Sequence, residues 1–219
     1  MKKYKTAIIE GSEYVRTKEI EYKKVEVDDF NSCGYKAEKF MIQLDKNGYL
    51  GDTLIKTIKI KDKSTDVLNI TTGCGKTTTI YQLISKINKE EPKAIIIVAT
   101  PYLSLVDKDY DALINEHHIN KDLITKYTEI KVDLEMEKSN YQPFLDGYIK
   151  GKKMHITTIN ALLRNPGDTA FEQMMIKTNY FTSLYQHCKN NKHKVYLFLD
   201  EVHASIHNFR NEYVFFIDV

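Results

Sequence analysis

The sequence predicts an α/β fold, a mostly parallel sheet with helices on both faces, preceded by a small N-terminal extension. Three observations predict it. From residue 66 onward, apolar runs at residues 67–70, 94–99, 123–130, 154–157 and 195–199 alternate with stretches of helical periodicity. Each reads as an apolar run rather than an alternating one, as a strand buried on both faces requires. Two chemistry-bearing motifs follow directly on the first and last of these runs, and the carboxyl ends of strands are where such a sheet binds ligands. A chain of 219 residues is long enough to bury the core this fold needs.

The elements follow in order. Residues 1–65 form the extension. Residues 5–9 and 22–27 have strand composition, with a charged stretch at 10–21 between them. Residues 35–44 and 50–60 read as helices broken by Lys46-Asn47-Gly48. Lys56, Lys59, Lys61 and Lys63 read as a solvated basic face. Residues 66–219 form the main domain. After Lys76, residues Ile80, Leu83, Ile84 and Ile87 fall at i, i+3, i+4 and i+7; after Pro101, residues Leu103, Val106, Tyr110, Leu113 and Ile114 continue one stripe. Residues 131–153 are polar and contain Pro143, Gly147 and Gly151, which reads as an insertion or mobile loop. Before the last run, Phe171, Met174, Met175, Phe181, Leu184, Tyr185 and Cys188 form another core-facing stripe.

Composition excludes several classes. Hydrophobic residues make up 42% and charged residues 28%, with a net charge of +2. Bulk charge therefore gives no argument for nucleic-acid binding, and any basic face has to be local. Cys33, Cys74 and Cys188 are widely spaced and form no CxxC or disulfide pattern, which points to a reducing, cytoplasmic compartment. Ala7-Ile8-Ile9 is too short for a signal peptide, and no run has the length of a membrane span.

The first motif is Thr71-Thr72-Gly73-Cys74-Gly75-Lys76-Thr77. Successive amides in a tight turn make a concave shell of donors for anionic oxygens, and Gly73 and Gly75 permit the turn. A helix starting near Lys76 aims its positive end at the same place. Lys76 adds a point charge, and the Thr77 hydroxyl suits Mg²⁺. The general GxxxxGK[ST] pattern wants glycine where this chain has Ile70. Cys74 reads either as a redox-sensitive thiol or as a small residue tolerated in the turn. The second motif is Leu199-Asp200-Glu201-Val202-His203. At the end of a buried strand, Asp200 is positioned to hold Mg²⁺ and Glu201 to polarise an attacking water; the bland alternative is a solvated turn. Together the motifs supply what a nucleoside triphosphatase needs.

With these residues the chain resembles the superfamily 2 helicases and translocases of the DExH type, over roughly residues 66–205. Thr72-Gly73-Cys74-Gly75-Lys76-Thr77 looks like motif I, and Asp200-Glu201-Val202-His203 like motif II. Ile97-Val98-Ala99-Thr100-Pro101 is similar to motif Ia, and Ile156-Thr157-Thr158-Ile159-Asn160 to the motif Ib region. The resemblance implies a RecA-like first motor domain with ATP and Mg²⁺ as cofactors. Thr72, Gly73, Cys74, Gly75, Lys76, Thr77 and Thr78 would line the nucleotide, Thr77 and Asp200 would hold the metal, and Glu201, with Lys76, would carry catalysis. Thr100, Pro101, Thr157 and Thr158 would lie near a nucleic-acid backbone, DNA being slightly favoured, and His203 would couple the site to motif III.

The chain departs from the family pattern in four ways. No adenine-reading glutamine stands upstream, Gln43 being poorly placed. No motif III follows His203, and neither a second RecA-like domain nor an arginine finger is present. The expectation is therefore the amino-terminal part of a longer motor, with slow turnover on its own. A nucleotide-binding switch or decayed motor is the alternative, and a P-loop kinase a weaker one, since few arginines are available for a lid. Among the histidines only His203 and His207 have a zinc-like i, i+4 spacing.

Overall fold

The computed structural model describes residues 6–9, 12–15, 43–58, 60, 62, 65–66, 73–130, 138–162 and 171–201. The chain divides into two compact units, Met1–Ile42 and Gln43–Val219. In the first, β1 (Thr6–Ile9) and β2 (Ser12–Val15) pair antiparallel, Ile9 opposite Ser12. β2 falls inside the charged stretch at 10–21, between the two segments of strand composition. Its Ser-Glu-Tyr-Val alternation carries the strand signal there. The expected strand at 22–27 lies outside the described residues.

The second unit holds a four-stranded parallel sheet: β3 (Ile95–Thr100), β4 (Ile124–Lys126), β5 (Met154–Thr158) and β6 (Val195–Leu199), in the order β4-β5-β3-β6. Register places Val98 opposite Ile156 on one side and Phe198 on the other. The helices are α1 (Gly51–Thr57), α2 (Lys76–Glu90), α3 (Leu103–Asn115), α4 (Lys138–Ile149), α5 (Ile159–Leu162) and α6 (Phe171–Asn190). From β3 the chain travels to β4, returns through β5, and then crosses β3 to reach β6. Connections thus diverge at the carboxyl end of β3, the crevice where such sheets take ligands.

Alternation along β3 feeds two cores. Ile96 and Val98 join Ile84 and Ile87 of α2, Val106 and Leu113 of α3, and Met154 and Ile156 of β5. Ile95, with the partly buried Ile97, faces the opposite way onto Leu145 and Ile149 of α4 and Tyr180, Phe181, Leu184 and Cys188 of α6. Helices therefore cover both faces, as expected for a parallel sheet. Truncating a fully buried member such as Ile84 or Met154 costs about 2–5 kcal/mol.

Four expectations are corrected. The run at 123–130 gives only the short β4, flanked by 3₁₀ turns at Lys121–Leu123 and Tyr127–Glu129. The polar stretch at 131–153 contains a helix, α4, with Pro143 inside it; burial of Leu145 and Ile149, one turn apart, outweighs the local breakers. The helix expected over 50–60 is shorter, and Leu54 is its buried anchor. Leu103, expected in the core, stands 62% exposed at the start of α3. The strand at 67–70 and the side chains of Phe171, Met174 and Met175 lie outside the described residues. No helix among the described residues is long and apolar enough to cross a membrane.

The core on the α2–α3 face also holds a carboxylate. Asp109 is 3% exposed and accepts a hydrogen bond from the Tyr81 hydroxyl at 2.5 Å. Burial first, and then the negative charge of Asp200, raise its pKa from 3.8 to about 6, against the opposing effects of the Tyr81 bond and Lys108. The folded state therefore binds this proton more tightly than the unfolded chain does. The ionised carboxylate is a penalty at pH 7 that fades as the pH falls through 6 towards 4. Asp109→Asn does not titrate, so its stability relative to the unmodified protein should fall by about 1–2 kcal/mol between pH 7.5 and pH 5. Urea unfolding of both proteins at the two pH values measures this, and a pH-independent difference would refute it.

Candidate active site

The first motif forms a turn that only glycine accommodates without strain. Gly73 and Gly75 have φ of 84° and 78°, in the left-handed region. Gly75 is the N-cap of α2 and has no side chain to occupy the first-turn amides, and no acidic residue stands in that turn. Thr79 returns its hydroxyl to the Gly75 carbonyl at 2.9 Å, fixing the turn to the helix. Cys74 is buried, which suits a small packing residue in the turn and leaves its thiol little access for redox chemistry.

Residues 45–50, which the sequence reading left without a role, support this turn. The Leu50 N–H donates to the Cys74 carbonyl at 2.9 Å, and the Tyr49 ring would meet a Cβ on Gly75 at 3.8 Å. Asp45 shapes the approach, its carboxylate accepting from the Asn47 and Tyr49 amides at 2.8 and 2.9 Å. The available signal was Leu50 and Leu54 at i, i+4, which says that a helix packs but not against what.

The second motif meets the first across the crevice. The Asp200 N–H donates to Ala99 O at 3.1 Å, continuing β6 along β3. The Thr77 hydroxyl donates to Asp200 Oδ2 at 3.1 Å, and Lys76 Nζ lies 3.8 Å from Glu201 Oε1. Glu201 has φ of 51°, and its N–H donates to Asp200 Oδ1 at 2.9 Å. A hydroxyl beside a carboxylate is a hard-oxygen donor pair of the kind Mg²⁺ takes. Lys76 and Glu201 are part-exposed, at 20% and 30%, so their ion pair contributes at most about 1 kcal/mol and yields readily to a better anion. Thr78 is exposed and lines, with Thr77, Tyr81 and Lys108, a groove of about 540 Å³ between α2 and α3.

Thr100 and Thr158 end β3 and β5 side by side, as do Ala99 and Thr157 one step earlier. Thr100, Pro101 and Thr157 are buried. The Thr158 hydroxyl accepts from the Ala161 N–H at 3.1 Å and so caps α5. Thr72, His203 and His207 lie outside the described residues. Among the described residues no group of three or more His, Cys, Asp or Glu is arranged to hold a metal ion. His155 is buried against the Tyr180 hydroxyl at 2.5 Å, and burial pushes its pKa down to about 3, so it stays neutral.

A family model for the type III restriction enzyme, res subunit, matches residues 36–215. The chain belongs to that family. Membership bears out the resemblance to superfamily 2 helicases drawn from the motifs. The res-subunit match includes both motifs and the whole described sheet. No curated protein matches the sequence. Among solved structures, the UvsW helicase from Bacteriophage T4 is similar over 85% of this chain, with 13% identity and a TM-score of 0.40. The chain spans 65% of the length of that UvsW chain.

Proposed function

We propose that this chain is the ATP-binding motor domain of a DExH-type nucleic-acid helicase or translocase. The observation that supports it most is the meeting of Thr77 with Asp200 and of Lys76 with Glu201 in one crevice, from motifs 123 positions apart. Backbone amides of the Gly73–Gly75 turn and α2 receive the phosphates, and Lys76 neutralises their charge. The donor pair of Thr77 and Asp200 fits Mg²⁺, which when bound offsets charge on the β- and γ-phosphate oxygens. Glu201 orients the attacking water and accepts its proton. Tyr49 and Leu50 keep the turn in shape.

On this reading Thr100, Pro101, Thr157 and Thr158 bring the ends of β3 and β5 to a nucleic-acid backbone, DNA before RNA, and His203 relays the state of the nucleotide. A second RecA-like domain contributes the arginine, worth about 10³–10⁵ in rate. The cysteine pattern favours the cytoplasm. Titration with ATP, with and without Mg²⁺, tests the reading, together with phosphate release in the presence of single-stranded DNA or RNA. Magnesium-dependent binding and strand-stimulated release are expected. Absence of ATP binding would overturn it, and binding with no turnover under any of these conditions would favour the nucleotide switch.

A further inference from the structure

Helices α2 and α3 leave the two loops that the proposed motor has to connect. α2 begins at the phosphate turn, and α3 begins two residues after Pro101. One turn beyond Thr77 on α2, the Tyr81 hydroxyl donates to Asp109 Oδ1 on α3 at 2.5 Å. Both side chains are buried, and Asp109 Oδ2 has no hydrogen-bond partner. On the core side they pack with Ile84, Val106, Ala112 and Leu113.

Packing alone does not call for this pair. A buried carboxylate with one oxygen unmatched is costly, and two apolar side chains of similar shape would serve the core at least as well. What the pair adds is direction. Apolar contacts let neighbouring helices slide by small amounts, whereas a short hydrogen bond fixes the rotation and axial position of α2 against α3. The groups facing it are Lys108 on α3, Glu116 just after it and Asp200 at the end of β6, with the His117 ring edge-on to Tyr81 at 5.5 Å. Asp200 is thus close enough to act on the pair electrostatically.

We propose that Tyr81 and Asp109 are positioning residues that tie the nucleotide-binding turn to the Thr100–Pro101 loop, so that nucleotide and strand strengthen each other's binding. This rests on the motor reading. A displacement of the Pro101 end moves α3 along its axis, and the bond carries it to α2, which bears Lys76 and Thr77.

The test measures affinity of the full chain for a fluorescent ATP analogue with Mg²⁺, with and without a single-stranded oligothymidylate. For the unmodified chain the oligonucleotide should raise affinity by about 5-fold or more, within the usual range of coupling between sites. Tyr81→Phe should lower Tm by several degrees, because it orphans Asp109, and should abolish the enhancement. Tyr81→Phe/Asp109→Leu removes both partners, so Tm should recover while the enhancement stays absent. Asp109→Asn, still an acceptor for Tyr81, should keep it. If the double variant regains both Tm and enhancement, the pair only packs the core and the proposal is overturned. If the unmodified chain binds nucleotide without any response to the strand, the proposal is overturned while the nucleotide-binding reading stands; if it binds no nucleotide, the motor reading itself falls.

Discussion

Lys76→Ala is expected to weaken MgATP binding by about 100-fold or more, enough to take it below detection by calorimetry at micromolar protein. A hydrogen bond to a charged group contributes about 1.5–3 kcal/mol, and the γ-phosphate end of the nucleotide offers Lys76 more than one acceptor. The substitution removes a positive charge from a crevice where Asp200 and Glu201 also stand. It also leaves those carboxylates facing the triphosphate without compensation, which adds repulsion to the lost contact. The fold should be unaffected, because the partner pair at 3.8 Å is part-exposed and contributes little. An unchanged Tm with lost binding is therefore the expected result. Binding as tight as in the unmodified chain would show that the turn does not hold phosphate.

Glu201→Gln should behave oppositely. Binding of MgATP should persist, within about threefold, while strand-stimulated turnover in the complete protein falls by about 10²–10⁴, the usual contribution of a general base. The amide keeps the shape and position of the side chain. The bond from the residue 201 N–H to Asp200 Oδ1 uses the backbone and survives. What is lost is the ability to accept a proton from water. The two variants together separate the roles: Lys76→Ala fails before chemistry, Glu201→Gln at it. Equal losses of binding in both would mean that the carboxylate, too, serves mainly to hold the nucleotide, and the assignment of Glu201 as base would be withdrawn.

Much of this was legible before the structure, for identifiable reasons. Strands β3 and β6 are apolar runs that end in polar motifs, so their boundaries were sharp. Helix α2 has a glycine start and a clean 3.6 period. The misses share a cause: each depends on a contact distant in sequence. Pro143 and Gly147 argued for a loop, and only the fit of Leu145 and Ile149 under the sheet makes α4 a helix. Asp109 sits three residues after Val106, on the inner stripe of α3, where a charge contradicts the pattern until Tyr81 is brought against it from α2. Leu50 looked like a helix residue, and its service to the phosphate turn is a backbone bond that no side-chain pattern encodes. Thr77 and Asp200 were grouped as metal-holding residues through the order of the two motifs, not through local preference; the hydrogen bond between them is what the structure adds.

The backbone at Glu201 carries a wider consequence. With φ of 51°, this position suits glycine or asparagine, and a glutamate is held there at a cost of about 1–3 kcal/mol. A consensus or design procedure that ranks residues by native-state stability would replace Glu201 first among the residues of this crevice. On the proposed role of Glu201 as base, the replacement would yield a sturdier and inert protein. Selection for heat resistance and selection for work thus pull this one position in opposite directions, and a thermostable variant of the chain should be screened at residue 201 before it is trusted as an enzyme.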